Sequence, residues 1–258
     1  MPFASGIHYS IANPGKIPAS RPPLILIHGA GGNLLSWHPY IRRLKNTTVY
    51  ALDLPGHGET GGEGRGSIAE YTGDISAFMD ALEIEAGVIA GLSMGSGIAL
   101  MLALTQPQKV SALALLGGGA KLRVAKIILD TAGSPDTFAS AVEMINANCF
   151  SAHAPPDLVQ LSKRNMLAMR PADLLNDFRA CNEFDVTAQL DQIRIPTLIL
   201  CGAEDVMTPP KYSQFLKNRI PHAELHVLEK AGHMVTLEQP EMVAELLGQF
   251  MDKIPPLS

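Results

Sequence analysis

Cysteine is scarce: three residues in 258, Cys149, Cys181 and Cys201, with no two at a C-x-x-C spacing. So sparse and odd a set excludes a disulfide framework and reads as reduced thiols in a reducing compartment. Long apolar runs are also missing. No stretch approaches the roughly 20 residues that a helix needs to cross a bilayer, and Met1–Ile11 lacks the basic start and apolar run of a signal peptide. These absences predict a cytoplasmic protein with no membrane partner. An excess of positive charge is absent too: 20 Lys and Arg stand against 25 Asp and Glu, a formal net charge of −5. Nucleic acid is therefore disfavoured as a partner, because phosphate binding needs a concentrated basic face. The densest basic group, Arg42, Arg43 and Lys45, reads as a solvated helix face. There is no internal repeat and no low-complexity segment.

What is present is an ordinary globular composition, 47% apolar and 17% charged, in a chain long enough for one full core. Short apolar runs alternate with longer amphipathic stretches, the pattern of a parallel sheet covered by helices. Strands are expected at Leu24–His28, Thr48–Leu52, Gly87–Ala90, Ala112–Leu116, Thr197–Cys201 and Glu224–Leu228, with a weaker one, Gly6–Ile11, at the sheet edge. Helices are expected near Leu34–Leu44, Ser67–Leu82, Met94–Gln106, Lys211–Asn218 and Pro240–Met251. The Pro-rich tail Ile254–Ser258 is expected to fray. From about Gly119 to Val186 no strand pattern occurs, while helical spacing recurs in Val124–Leu129, Phe138–Ile145 and Asp157–Met169. Such an insertion between two strands of an α/β sheet is expected to cover a site. The division that follows is 1–118 and 187–258 for the core and 119–186 for a helical cap.

Gly91-Leu92-Ser93-Met94-Gly95 is a G-x-S-x-G pattern, weak by itself because it is short. Its setting strengthens it: an apolar strand run precedes it and a helical pattern follows, as a nucleophile elbow requires. A serine hydroxyl is a poor nucleophile at neutral pH and needs a base. Of eight histidines, His233 in Ala231-Gly232-His233-Met234 lies just past the last strand run, at the end of the sheet where open α/β folds build their sites. His222 and His226 read as surface or packing residues. An acid must orient the base. Asp205 in Gly202-Ala203-Glu204-Asp205 follows the preceding strand run, with Glu204 its adjacent rival. The other place for the acid, Leu116-Gly117-Gly118-Gly119-Ala120, holds no carboxylate. Negative charge that builds on a carbonyl oxygen needs backbone donors. His28-Gly29-Ala30-Gly31-Gly32 offers the amide of Ala30, or alternatively Gly31, to act with the amide of Met94 as an oxyanion hole. His28 reads as an anchor of that loop.

HGAGG at 28–32, ALDLPGHGET at 51–60, GLSMG at 91–95, CGAEDVMTP at 201–209 and AGHMVTLEQPE at 231–241 together resemble the α/β-hydrolase fold superfamily over essentially the whole chain. The resemblance implies a mostly parallel sheet of about eight strands with helices on both faces, a helical cap, and a triad of Ser93, Asp205 and His233. It also implies that Asp53 and His57 belong to a structural turn. Met94 after the serine is similar to esterases and carbon–carbon bond hydrolases, and the serine itself separates the chain from epoxide hydrolases and haloalkane dehalogenases. The expected activity is serine-dependent hydrolysis of small carboxylic esters through an acyl-enzyme, with no metal and no organic cofactor. A C–C hydrolase or lyase acting on an acidic small molecule is the alternative, and a ligand receptor of the same fold a third. Two features of the cap bear on that choice. Met144, Met166 and Met169 suit an apolar pocket, whereas Arg164, Arg170 and Arg179 would suit an acid if they converged on it.

Overall fold

The computed structural model describes residues 2–18 and 20–257. Met1 and Ser258, which end the two terminal segments considered above, lie outside the described residues. One eight-stranded sheet organises the chain, in the order β1-β2-β4-β3-β5-β6-β7-β8. Its strands are β1 Phe3–Ala4, β2 Ile7–Ala12, β3 Leu24–Ile27, β4 Val49–Leu52, β5 Gly87–Leu92, β6 Val110–Leu116, β7 Thr197–Gly202 and β8 Ala223–Leu228. The pairs β1–β2 and β2–β4 are antiparallel. All the others run parallel. The expected edge strand is thus β2, one place inside the edge, because the two-residue β1 pairs outside it.

Period-two alternation sends successive side chains to opposite faces of the sheet. Ile25, Ile27, Ile89, Leu113, Leu115 and Ile199 join one apolar layer. Leu24, Leu26, Val88, Ala90, Leu198 and Leu200 join the other. Helices α2 (Ile68–Ala81), α3 (Met94–Thr105) and α8 (Pro210–Arg219) cover the first layer through residues such as Tyr71, Ile98 and Leu216. Helices α1 (Pro39–Arg42), α9 (Val235–Glu238) and α10 (Pro240–Lys253) cover the second through Ile41, Val235 and Leu247. With both faces covered, the central strands read as unbroken apolar runs, and this made them visible in the sequence.

Two local expectations fail for clear reasons. Leu34–Leu44 splits into a 3-10 turn, Leu34–Ser36, and α1. Pro39 has no N–H to continue a helix and forces His38 into an extended conformation (φ −58°, ψ 150°), so the chain restarts with the proline at the first helical position. The tail does not fray as far as Leu257: Ile254 is buried, and the Leu257 amide donates to the Ser20 carbonyl at 2.6 Å.

Between β6 and β7 stand four helices, α4 (Lys126–Thr131), α5 (Pro135–Cys149), α6 (Pro156–Leu167) and α7 (Pro171–Glu183). They share a core that includes Phe138, Val142, Ile145, Met166, Leu174 and Phe178. An isolated antiparallel bridge between Lys121 and Asp185 closes the base of the insertion. Helix α7 was not foreseen. Pro171 begins it, Asp173 sits in its first turn, and Leu174, Phe178 and Cys181 share one face at helical spacing. No helix among the described residues is long and apolar enough to cross a membrane.

Phe78 holds α2 on the sheet. Its ring is wholly buried and meets Tyr9 edge-on at 5.2 Å and Tyr50 at 6.0 Å. Phe78→Ala is expected to lower unfolding free energy by about 3–5 kcal/mol. Met242→Ala, at a position 45% exposed, should change it by less than about 0.5 kcal/mol. Urea unfolding of both variants compares the two.

Candidate active site

Ser93 sits where β5 turns into α3, with φ 54° and ψ −115°. A non-glycine residue rarely adopts positive φ, and surrounding packing must hold it there. The Ser93 amide donates to Leu116 O at 2.8 Å, and the Ser96 hydroxyl donates to Ser93 O at 2.6 Å. Both flanking glycines are required by space. A Cβ on Gly91 would lie 2.1 Å from Gly95 O, and one on Gly95 would lie 2.2 Å from Ile27 O. The turn therefore presses directly on the end of β3 and brings Ser93 beside the glycine loop at 28–32.

That loop is held from several sides. His28 Nε2 accepts the Leu54 amide at 3.0 Å, and its Nδ1–H donates to Gly29 O at 2.8 Å. Burial, and then the charge of nearby His57, lower the His28 pKa to about 4, so it is neutral and acts as the anchor expected. The Gly31 amide donates to Asp177 Oδ2 at 2.9 Å. Of the two candidate donors, Gly31 is thus already engaged, whereas neither Ala30 nor Met94 uses its amide in a hydrogen bond among the described residues. The Met94 amide lies at the first position of α3, where helix N–H groups have no internal acceptor.

Asp205 lies in the loop after β7, 2.9 Å through Oδ2 from His233 Nδ1. Its Oδ1 accepts the amides of Met207 and Thr208 at 2.9 and 2.8 Å. Burial alone would push this carboxyl up, but the imidazole of His233 and the hydrogen bonds from Thr208 outweigh it and hold its pKa below the ordinary value. The tautomer that puts Nδ1–H on Asp205 leaves Nε2 as the acceptor nitrogen of His233. Ser93 and His233 line the same cavity. No hydrogen bond joins them among the described residues, and such contacts commonly tighten only when substrate binds. Glu204, the rival acid, turns outward: its carboxylate receives the Ala152 amide at 3.3 Å and lies 3.4 Å from His153 Nε2.

Thr208 was not singled out in the sequence, yet its hydroxyl lies 2.9 Å from Asp205 Oδ2, 2.8 Å from Gly117 O and 3.2 Å from His233 Nδ1. Its signal was the short turn after Asp205, in which an aspartate accepts backbone amides two and three residues on. Asp53 and His57 hold backbone rather than face the cavity. Asp53 accepts the amides of Leu34 and Glu59, and His57 is fully enclosed against Asp177.

The cavity beside Ser93 measures about 170 Å³ and is roofed by Ile145, Leu158, Leu161, Met166 and Phe178 from the cap. Among the described residues, no lysine, arginine or carboxylate lines it. Met166 is therefore the cap methionine that lines the cavity, while Met144 is exposed and Met169 packs against the cap core. Arg164, Arg170 and Arg179 do not converge. All three are exposed, and Arg170 is spent on Asp173 at 2.6 Å. A narrower space of about 50 Å³ also reaches Ser93 and His233 and is lined by Leu122, Arg123 and Tyr212. Among the described residues, no group of three or more His, Cys, Asp or Glu side chains is placed to hold a metal ion.

Known proteins agree with this architecture. The family model for the α/β hydrolase fold matches residues 22–240, and the chain belongs to that family of hydrolases. It is 29% identical over 256 residues to a pimeloyl-[acyl-carrier protein] methyl ester esterase of Neisseria meningitidis, covering 92% of this chain and 95% of that one. It is 30% identical over 255 residues to the dihydrolipoyllysine-residue acetyltransferase component of an acetoin cleaving system from Pseudomonas putida. That match covers 90% of this chain but only 64% of the relative's length. The crystal structure of an enol-lactonase from Burkholderia xenovorans LB400 superposes with a TM-score of 0.89 at 22% identity, covering 96% of each chain, a likeness of fold.

The glycine geometry makes opposite predictions at two positions. Gly95→Ala should destabilise the protein severely, by more than about 2 kcal/mol, because its Cβ would meet a backbone carbonyl. Gly73→Ala, within α2 and with nothing inside 4 Å of the added Cβ, should stabilise it by about 0.5–1 kcal/mol. Thermal melting of the two purified variants is the measurement.

Proposed function

We propose that the chain is a serine esterase that cleaves small carboxylic esters through an acyl-enzyme. The observation that carries this reading is the shared cavity of Ser93 and His233, with Asp205 hydrogen-bonded to the far nitrogen of the imidazole. Ser93 Oγ adds to the ester carbonyl carbon while His233 Nε2 takes its proton. The amides of Ala30 and Met94 receive the oxyanion. As the tetrahedral species collapses, His233 returns the proton to the leaving alcohol, and a water activated by the same nitrogen then releases the acid. Asp205 holds the imidazole in its tautomer and stabilises the imidazolium. The esterase name of a relative that covers nearly the whole chain supports the same chemistry.

The wider cavity takes the acyl group, and its uncharged lining favours a neutral, short to medium chain. The alcohol leaves past Arg123, which lines the narrower space that reaches Ser93. An anionic group is thus accepted on the alcohol side rather than on the acyl side. The dispersal of Arg164, Arg170 and Arg179 removes the feature that favoured an acidic C–C hydrolase or lyase substrate. A ligand receptor would need neither an oriented base nor unoccupied amide donors. Three buried free thiols suit a reducing compartment such as the cytoplasm.

A fluorophosphonate should label the wild type covalently, and Ser93→Ala should abolish both labelling and turnover. Asp205→Asn should lower kcat by a factor on the order of 10⁴, against less than about threefold for Glu204→Gln. Wild-type protein that resists labelling, or the reverse ranking of the two acids, contradicts the assignment.

Substrate choice is tested by kcat/KM for neutral p-nitrophenyl acyl esters against esters whose acyl chain ends in a carboxylate. The neutral series should be preferred by tenfold or more. Arg164→Ala and Arg179→Ala should leave that ratio unchanged, and a preference for the acidic chain that disappears in either variant would count against the neutral acyl pocket.

A further inference from the structure

Away from the reacting atoms, a buried polar cluster lies where the cap meets the core. Asp177, on α7, is wholly buried. Its Oδ2 accepts the Gly31 amide at 2.9 Å and lies 2.8 Å from His57 Nε2, and its Oδ1 accepts the Tyr71 hydroxyl at 2.6 Å. The second His57 nitrogen, Nδ1, lies 2.9 Å from Pro55 O. Both ring nitrogens thus face acceptors, the arrangement that fits an imidazolium. One turn earlier on the same helix, Asp173 accepts the Gly64 amide at 2.8 Å. Two carboxylates on one helix face therefore tie the cap to two core loops, but only Asp177 reaches the oxyanion loop.

Local geometry shows what that tie controls. The Ala30 N–H belongs to the peptide whose carbonyl is Gly29 O. That oxygen accepts His28 Nδ1–H at 2.8 Å and the Gly32 amide at 3.1 Å. Because N–H and C=O point to opposite sides of a planar peptide, pinning the carbonyl aims the Ala30 N–H the other way. The next peptide, which carries the Gly31 N–H, is pinned by Asp177. Gly31 has φ +69°, and a Cβ there would lie 2.9 Å from the Leu174 side chain, also on α7. The loop is thus shaped on one side by the core and on the other by the cap.

We propose that Asp177 is a positioning residue for the oxyanion hole: a cap helix supplies the buried acceptor that orients the peptide after Ala30 and so aims the Ala30 amide at the developing oxyanion. This rests on the esterase reading. A donor that acts on the transition state governs kcat more than KM. Asp177→Asn keeps the shape and one acceptor oxygen but removes the charge. It should lower kcat about tenfold with KM within twofold of wild type. Asp177→Leu removes every acceptor and should lower kcat on the order of 100-fold. Asp173→Asn loosens the same helix away from the site and should lower Tm with kcat unchanged within twofold.

Hydrogen–deuterium exchange supplies a readout that does not need turnover. Residues 29–32 should exchange faster in Asp177→Asn and at the wild-type rate in Asp173→Asn. If Asp177→Asn and Asp173→Asn both lose Tm while retaining kcat and slow exchange at 29–32, Asp177 only fastens the cap and the proposal is overturned. A rise in KM at constant kcat overturns it as well. A wild type that exchanges as expected, with the Asp177→Asn difference present, but resists fluorophosphonate would instead indict the esterase reading alone.

Discussion

Three backbones meet at the nucleophile turn, and the rest of the site depends on how closely they do so. Gly95 lies so near Ile27 O that no side chain fits between them. This contact sets the end of β5 against the end of β3 and brings Ser93 beside the glycine loop at 28–32. It also holds Ser93 at a positive φ that an isolated chain would abandon. The holding force is the sheet itself: β3, β5 and β6 are buried almost throughout, and close-packed interiors resist the small shift that would relax the turn.

Two histidine–aspartate pairs of similar length occupy very different electrostatic positions. His233 and Asp205 are 2.9 Å apart, with a ring nitrogen left over and a cavity beside it. His57 and Asp177 are 2.8 Å apart, with both ring nitrogens occupied and no solvent contact. The second pair cannot accept a proton from a substrate. Its pKa shifts make it a pH-dependent fastener instead. Burial lowers the His57 pKa, but the Asp177 charge and hydrogen bond outweigh it and raise the net value. The corresponding attraction lowers that of Asp177 against its own burial. The contribution of His57 is complete below its unfolded pKa near 6.5 and is lost as pH rises through its higher folded value. That of Asp177 is complete above about 3.8 and is lost as pH falls through its lower folded value. The fastener is strongest between those limits.

The strands and the strand-end places of Ser93, Asp205 and His233 were legible because each leaves a local mark. Strands enclosed on both faces are continuous apolar runs, and residues at strand ends sit next to glycine or aspartate turns. Asp177 left no such mark. On α7 it looks like one more acid of a solvated helix face, and its partners Gly31 and His57 are 146 and 120 residues away. The direction of the cap arginines left no mark for the same reason, since whether a long side chain turns inward depends on how the helices pack. Glu204 and Asp205 are neighbours in the chain, and only the turn through Met207 and Thr208 shows which one faces the histidine.

The cap leaves the core after β6 and returns before β7 through strands of chain bridged at Lys121 and Asp185. Ends that lie side by side are what allow one insertion to be exchanged for another without disturbing the host sheet. In this molecule the exchange has a condition attached. A replacement cap can close the base correctly and still leave Gly31 N–H and the His57 ring without their acceptor. Transplanting substrate preference between such hydrolases therefore means moving Asp177 of the last cap helix together with the pocket lining, since a graft chosen for the lining alone separates specificity from rate.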